Sequence, residues 1–500
     1  MTVTVTQPAT SRASILAQPL EPDPGTNTVT ITKAYKYRID PTPSQQGRLW
    51  SHMGGSRYAY NTLLALLYDN WNQIKAEKEA GGQHAEYLST RHFALLALWN
   101  AIKGDVAPWW LENSSYAYND GAKRASLAFT NFTKGRARPP KYHKRGEHDS
   151  YRTPGVKTPL KGRHHVHLPK VGSVKTFESM RKLARHVERG SGRVIATTVS
   201  HESGRWFVSF TTEVQIVPRN QKTASDGLSI VGVDVGIATF ATVSRPDGTL
   251  VEKVQNPRHY VKQEKTLAKR QRQAARKQGP SKDHAPSKRW LRANKRVQNT
   301  HHTIVGRRTN FLHNTTTRLC KTHDVITIET LNVKGMLKNH KLAKHISDAA
   351  WAEFFRQLKY KAGWYGCTIV VADQWFASSK TCSGCGVVKA KLALSERLFE
   401  CDSCGLVVDR DVNAAINLAR VGETLLFGSN AGTSSGSGRG GDGKTVSGYN
   451  PETAQPDETT TLLNTPLGAR ESGDTSDKTG WESVGIFINT EQPSVTKGQR

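Results

Sequence analysis

Three acidic residues each stand at the edge of an apolar stretch: Asp234 in Val231-Gly-Val-Asp-Val-Gly236, Glu329 in Val325-Ile-Thr-Ile-Glu329, and Asp411 in Asp409-Arg-Asp-Val-Asn-Ala-Ala415. Carboxylate oxygens are hard, anionic ligands that water and phosphate can partly replace, which suits Mg2+. Two such ions about 4 Å apart hold the attacking and leaving oxygens of a phosphodiester in line. The ligands must then come from rigid elements, and two strand ends and a helix start would supply them. Singly, each residue has an ordinary reading as a turn start, a strand end or a helix cap. Jointly, and in this order, Asp234, Glu329 and Asp411 point to a catalytic cage for two Mg2+ ions. Asp409 competes for the third place, but Asp411 directly precedes the apparent helix Val412-Asn-Ala-Ala-Ile-Asn-Leu418. Asp409 is expected to orient Arg410 or to do nothing. Gly232 and Gly236 are expected to make room for a substrate backbone. Arg410 is a candidate contact to the scissile phosphate, with an ordinary surface arginine as the alternative.

A second constellation is Cys382-x2-Cys385-x15-Cys401-x2-Cys404. Two such knuckles match a four-thiolate zinc ribbon in which one structural Zn2+ replaces a hydrophobic core. Gly384, Gly386 and Gly405 suit the tight turns that carry the thiolates. A redox role would not need the second pair. Ser378-Ser-Lys380, just before the first knuckle, could meet nucleic acid near the carboxylates, or Lys380 could simply be solvated.

The elements that must position these groups follow from alternation and breakers. Strands joined by tight turns are expected at Ile230 to Val235, Thr239 to Ser244 and Thr249 to Val254, with Pro246-Asp-Gly248 as one turn. Next come a strand at Val325 to Ile328, a helix over about 347–365, a strand from Cys367 to Ala372, and a helix opening near Asp411. Three antiparallel strands followed by alternating strands and helices is the ribonuclease-H-like plan, with the cysteine module inserted before the last carboxylate. Upstream, Val29 to Arg38 alternates like a strand until Pro41-Thr-Pro43 stops it. Helical stretches follow over about 44–71, 87–102 and 109–132. Short strands at Val194 to Val199 and Arg205 to Phe210 then flank a Ser203-Gly204 hairpin turn. Residues 29–40 and about 146–216 thus read as one β-rich domain interrupted by helices. Residues 1–27 read as a disordered leader, and the Gly/Ser-rich text from Gly428 as a tail unable to bury enough apolar surface.

The chain has 500 residues with 71 Lys+Arg against 42 Asp+Glu, a net charge of +29. Residues 421–500 hold 6 basic and 10 acidic residues, −4, so residues 1–420 carry +33. The excess lies on the part expected to fold, and a polyanion is its natural partner. Residues 258–308 hold 16 Lys/Arg against Glu264 and Asp283, and are expected to form helices that track phosphates without reading sequence. Trp50, Trp71, Trp99, Trp109 and Trp110 could stack on bases, but their helical spacing favours a core role. A purely electrostatic, histone-like binder is the composition-level alternative. Apolar runs such as Thr368 to Ala372 are far too short to span a bilayer and no export signal opens the chain. An intracellular, cytoplasmic protein without a membrane partner is expected, nucleoid-associated when bound to its target.

The text resembles TnpB proteins and the small type V CRISPR effectors similar to them. Lys33-Ala-Tyr-Lys-Tyr-Arg38, Arg57-Tyr-Ala-Tyr-Asn61, Asn310-Phe-Leu-His313, Ile328-Glu-Thr-Leu-Asn-Val-Lys-Gly335, Ser378-Ser-Lys-Thr-Cys-Ser-Gly-Cys-Gly386 and Asp409-Arg-Asp-Val-Asn-Ala-Ala-Ile-Asn417 carry the resemblance, the last three being specific together. It implies a multi-domain α+β chain: a wedge-like β-barrel (28–41 and 140–226) interrupted by an α-helical recognition domain (42–139). A RuvC-like nuclease domain (227–375 and 409–427) then bears a zinc ribbon (376–408). It implies an RNA-guided DNA endonuclease with a guide RNA and target double-stranded DNA as partners, in which pairing reads sequence and the protein reads a short adjacent motif. Lys36, Arg57, Lys380 and Arg410 are the nucleic-acid-binding candidates. Binding by occupancy without cleavage, a guide-free transposase or resolvase, the choice between transposon and CRISPR origin, and a homodimer all stay open at this point.

Overall fold

The computed structural model describes residues 13–17, 21, 23, 25–82, 86–146, 149–157, 159–217, 227–281, 283–393 and 395–427. The expected tail, 428–500, and residues 1–12 of the expected leader lie outside the described residues. Within the leader, however, β1 (Ser14–Ala17) is a strand running antiparallel to a strand near residue 370, with Ser14 opposite Val371. This corrects the expectation that 1–27 is disordered throughout. Four weakly patterned residues gave no local signal, and the partner that supplies their backbone hydrogen bonds lies some 350 positions away.

The β-rich unit comprises β2 (Val29–Asp40), α1 (Pro43–Glu79), α2 (His92–Val106), α3 (Ser115–Thr133), β3 (Ser150–Pro154), β4 (Leu160–Lys161), β5 (His165–Leu168), β6 (Gly172–Thr176), α4 (Arg181–Glu188), β7 (Gly192–Glu202) and β8 (Arg205–Ile216). Its seven strands form one antiparallel sheet in the order β3-β7-β8-β2-β6-β5-β4. Tyr151, Val199, Val208, Ile39, Val174 and Val166, one from each of six strands, meet in a single core, so the sheet curls around it. Ser203 and Gly204 both take positive φ, 50° and 74°, making the two-residue turn whose twist suits a hairpin.

The helices α1 to α3 form their own core around Leu63, Leu64, Trp99, Tyr118 and Phe129. A capping box opens α1: Thr42 accepts from Gln45 N while Gln45 reaches back to Thr42 N, with Pro43 at the first helical position. α1 continues past Trp71 to Glu79, because Ala76-Glu-Lys-Glu79 are strong helix formers even though they extend no apolar stripe. The tryptophans are packing residues: Trp99 stacks on Tyr118 at 5.2 Å, Trp71 meets Phe129 and Phe132, and Trp50 meets Trp206.

The remaining elements are β9 (Ile230–Val235), β10 (Thr239–Ser244), β11 (Leu250–Gln255), α5 (His259–Ala275), α6 (Lys288–Thr322), β12 (Val325–Ile328), α7 (Val333–Met336), α8 (Ala343–Ala349), α9 (Trp351–Tyr365), β13 (Thr368–Val371), β14 (Leu398–Glu400), β15 (Val407–Asp409) and α10 (Arg410–Phe427). The second sheet runs β1-β13-β12-β9-β10-β11; β9, β12 and β13 are parallel, and β10 and β11 antiparallel. Its faces follow the alternation of each strand. Val231, Val233, Ile326 and Ile328 point to one side, where Leu312 and Leu319 of α6 and Phe354 and Leu358 of α9 complete the core. Ile230, Val325 and Val370 point to the other, against Leu425 and Leu426 of α10. The basic run forms α5 and the first part of α6, and Ala350 at φ 55° separates α8 from α9 where one helix was expected.

α10 presses on the sheet so closely that side chains cannot fit between. A Cβ at Gly232 would lie 2.0 Å from Ala415 O and 2.4 Å from Ala419 N, and one at Gly422 would lie 2.1 Å from Thr327 Oγ1. Gly232 is therefore a helix-packing residue, which corrects its expected role in admitting substrate. Gly236 likewise serves the β9–β10 turn, where a Cβ would meet Thr239 O at 2.9 Å. Gly232→Ala should lower the urea midpoint, with a destabilisation of about 1–3 kcal/mol or more from overpacking. Gly306→Ala, on α6 with nothing within 4 Å of its added Cβ, should instead stabilise by about 0.5–1 kcal/mol.

Candidate active site

Asp234 lies near the end of β9, and Glu329 follows directly on β12. Val233 pairs with Ile328 in the parallel ladder, so the next residues, Asp234 and Glu329, leave adjacent strands at one level, with backbones about 4.8 Å apart. Both share the face of Gly232 and Thr327, two residues back, and that is the α10 face. α10 runs opposite to β9 along it: Gly422 lies against Thr327 and Ile230, and Ala415 to Ala419 against Gly232. One helical turn before Ala415 is Asp411, and two strand residues beyond Gly232 is Asp234. Those steps are about 6.0 Å and 6.6 Å, so helix and strands deliver three carboxylates to one mouth.

The electrostatics agree with that convergence. Burial holds the Asp234 carboxyl well above the usual range, and the charges of Glu329 and Asp411 push it further. Glu329 is raised by burial, against the opposing hydrogen bond from Ser378 and the charge of Arg410. Asp411 is raised by burial and by Asp409, against Arg397, Arg410 and Lys253. As whole residues all three are intermediate between buried and exposed. Among the described residues, the group of metal-ligating side chains gathered within 4.8 Å of one another is the four thiols, not these carboxylates.

The sequence pattern did not show several supporting residues. Asp409 is the N-cap of α10: its Oδ1 accepts from the N–H groups of Asp411 and Val412 at 2.9 and 3.1 Å, and its Oδ2 accepts from Lys253 Nζ at 2.8 Å. Asp409 therefore orients the helix that carries Asp411, and not Arg410, as expected. The buried Ser378 hydroxyl donates to Glu329 Oε1. Asn417 Nδ2 donates to Ser378 O and Thr381 O at 2.8 and 2.7 Å, and Asn413 Nδ2 donates to Thr381 O at 2.7 Å while its Oδ1 accepts from Ser383 N. Two buried asparagines one turn apart thus tie the start of the cysteine module to α10. The polar-at-i,i+4 pattern Asn413/Asn417 in an apolar helix was the only available signal. Ser378→Ala should slow turnover roughly ten- to hundredfold without changing RNA binding, one hydrogen bond to a charged group being worth about 1.5–3 kcal/mol.

In the module itself, Cys382 Sγ lies 3.6 Å from Cys404 Sγ and Cys385 Sγ 3.5 Å from Cys401 Sγ. Sulfurs at the corners of a tetrahedron with Zn–S bonds of about 2.3 Å stand about 3.8 Å apart, so the donor set fits one zinc ion. β14 and β15 pair antiparallel over a small core of Phe399, Cys382 and Cys401, too little to hold a fold without such a staple.

The four candidate nucleic-acid contacts have different partners. Arg57 is closed on Asp149 at 3.2 Å with 19% of its side chain exposed, which removes it as a free phosphate ligand. Lys36 pairs with Glu202 at 2.8 Å and lies over the Phe207 ring. Lys380 Nζ donates to Ala390 O at 3.3 Å within the cysteine module. Arg410 Nη1 donates to Ala393 O at 2.8 Å, and its charge reaches Asp234, Glu329 and Asp411. Of the four, only Arg410 is thereby tied to the carboxylates.

Comparison with known proteins bears on the whole constellation. A family model described as "Probable transposase" matches residues 198–340, a "Helix-turn-helix domain" model 30–76, and a "Cas12f1-like, TNB domain" model 351–418. A Mycobacterium tuberculosis protein named "Putative RNA-guided DNA endonuclease" is 34% identical over 459 residues, covering 85% of this chain and 96% of the relative. The chain belongs to the TnpB family. Relatives of that name from Streptomyces pristinaespiralis (35% identity; 78% of this chain, 90% of the relative) and Escherichia coli (30%; 79% and 93%) cover nearly their full length. The solved Cas12f1–sgRNA–target DNA complex has a chain 12% identical, with 79% of this chain and 99% of that one aligned at a TM-score of 0.46. Among the described residues of this TnpB-family chain, no helix is long and apolar enough to cross a membrane.

Proposed function

We propose that this chain is an RNA-guided endonuclease that cuts target double-stranded DNA through a two-Mg2+ site held by Asp234, Glu329 and Asp411. The convergence of these carboxylates at the end of β9 and β12 carries the reading, in a chain whose full-length relatives bear that activity in their names. With divalent cations bound there, the site would hold attacking and leaving oxygens in line and offset the charge on the phosphoryl group. Asp234 and Glu329 would supply ligands from two adjacent, hydrogen-bonded strands. Asp409 and Lys253 fix the N-terminus of α10, so Asp411 keeps its place as charge in the site changes. Ser378 holds one Glu329 oxygen and so orients the other. Arg410, whose charge reaches all three carboxylates, would draw an entering phosphate toward them.

Cys382, Cys385, Cys401 and Cys404 would hold one structural Zn2+; with every position closed by sulfur, the ion takes no part in hydrolysis. The guide RNA reads the target by pairing, while α5 and the basic first half of α6 track its phosphates. The test is cleavage of a plasmid by the chain loaded with its guide RNA. Cutting with Mg2+ on a matched target, and none with EDTA or a mismatched guide, is expected. Equal cutting without guide would favour a guide-free transposase or resolvase.

A further inference from the structure

Among the described residues, Trp375 is the most exposed large apolar side chain, at 86%. It does not lie on a loose loop. β13 runs parallel to β12 with Val371 opposite Ile328, so the chain leaves the sheet beside Glu329. Ala372 N donates to Ile328 O at 2.9 Å and Ala372 O accepts from Thr330 Oγ1 at 2.9 Å, clamping the departure point. Six residues later the chain returns to the same carboxylate, where the Ser378 hydroxyl donates to Glu329. Trp375 is the midpoint, three residues from each anchor, and so within about 11 Å of both. Between the anchors the turn is fixed: Asp373 Oδ1 accepts from Trp375 N at 2.8 Å, Asp373 O accepts from Phe376 N at 3.1 Å, and Phe376 packs with Ala372, Leu418 and Val421. The chain therefore packs Phe376 against the sheet and α10 and presents its neighbour Trp375 to solvent, a few residues of chain from Glu329.

An indole held out on a fixed turn gains nothing from folding, and its flat face matches an unpaired base. We infer that Trp375 is a stacking platform for a base of the single DNA strand next to the phosphate that enters the site. The inference rests on the nuclease reading above and adds a contact to it. Stacking tolerates any base, which suits an enzyme whose sequence choice lies in its guide. The platform would hold the strand single and in register while the carboxylates act on its backbone.

The test uses the full chain with its guide RNA and zinc, in the non-cutting Asp234→Ala background. Single-stranded oligonucleotides carry 2-aminopurine at successive positions on either side of the scissile bond. Quenching at one or two adjacent positions is expected, lost in Trp375→Ala and largely restored in Trp375→Phe. In the cutting-competent chain, Trp375→Ala should raise KM for single-stranded DNA roughly 5- to 150-fold, the size of one base–aromatic stack, with guide-RNA affinity unchanged. Quenching and KM that are the same in Trp375→Ala, while the parent cuts, would overturn the platform and leave the nuclease intact. A parent chain that neither quenches nor cuts would overturn both.

Discussion

Asp234→Ala, Glu329→Ala and Asp411→Ala should each lower DNA cleavage by roughly a thousandfold or more, with guide-RNA binding unchanged. Removing one ligand from a two-ion site forfeits several kcal/mol of transition-state stabilisation, and each 1.36 kcal/mol is about tenfold in rate. None of the three supports the core, which on the α6 side is built from Val231, Val233, Ile326 and Ile328. The variants should therefore fold. Asp234→Asn separates function from stability more sharply still. Folding raises the Asp234 carboxyl above its ordinary titration near pH 4, first by burial and then by Glu329 and Asp411. A carboxyl shifted upward imposes no penalty below its unfolded titration point; the penalty on the folded state grows as pH climbs from there to the folded one, and is full above it. In metal-free protein, Asp234→Asn should therefore be more stable than the parent at neutral pH, by about 0.5–2 kcal/mol, and equal to it near pH 3. Added Mg2+ should stabilise the parent and not the variant. Calorimetry with EDTA and with Mg2+ checks both signs.

Loss of the zinc ligands is the second large effect. Cys382→Ser or Cys401→Ser should abolish stoichiometric zinc by atomic absorption, since a structural site of this type contributes about 10–16 kcal/mol of apparent binding energy. The small cluster of Phe399 with the cysteines cannot replace that energy, so residues 376–408 should lose their protection from proteolysis. The damage should also reach the carboxylates. Ser378 holds Glu329, and Asn413 and Asn417 tie Ser378, Thr381 and Ser383 to α10. Cleavage should fall even though no thiol touches the phosphate, while the seven-stranded sheet and the helices α1 to α3, with cores of their own, remain folded. Unchanged zinc content in either variant would contradict the four-thiolate assignment.

The sequence made some of these features plain because their signals are local. Alternation placed β9, β10 and β12 to the residue, Pro246-Asp-Gly248 marked its turn, and the cysteine spacing reported itself. What was illegible depends on distant partners. β1 exists because an edge strand 350 residues away accepts it, and nothing in Ser-Ile-Leu-Ala announces that. Gly232 sits in a motif suggestive of substrate approach, yet its missing Cβ is filled by the backbone of α10, nearly two hundred residues later. The helix text after Asp411 already singled it out from Asp409, but that Asp409 caps this helix shows only in the backbone N–H groups its carboxylate accepts from. Arg57 lay in a family-like motif, but its charge is spent on Asp149. Counts of basic residues cannot distinguish such internal pairs from free phosphate ligands.

The most direct test replaces Mg2+ by Fe2+ in the zinc-loaded chain and triggers hydroxyl radicals with ascorbate and peroxide, so that the polypeptide is cut beside the bound ion. Cuts near residues 234, 329 and 411 together, suppressed by excess Mg2+ and absent in Asp234→Ala, are expected of one shared cage. Cutting confined to a single one of these segments, or unaffected by Mg2+, would contradict it.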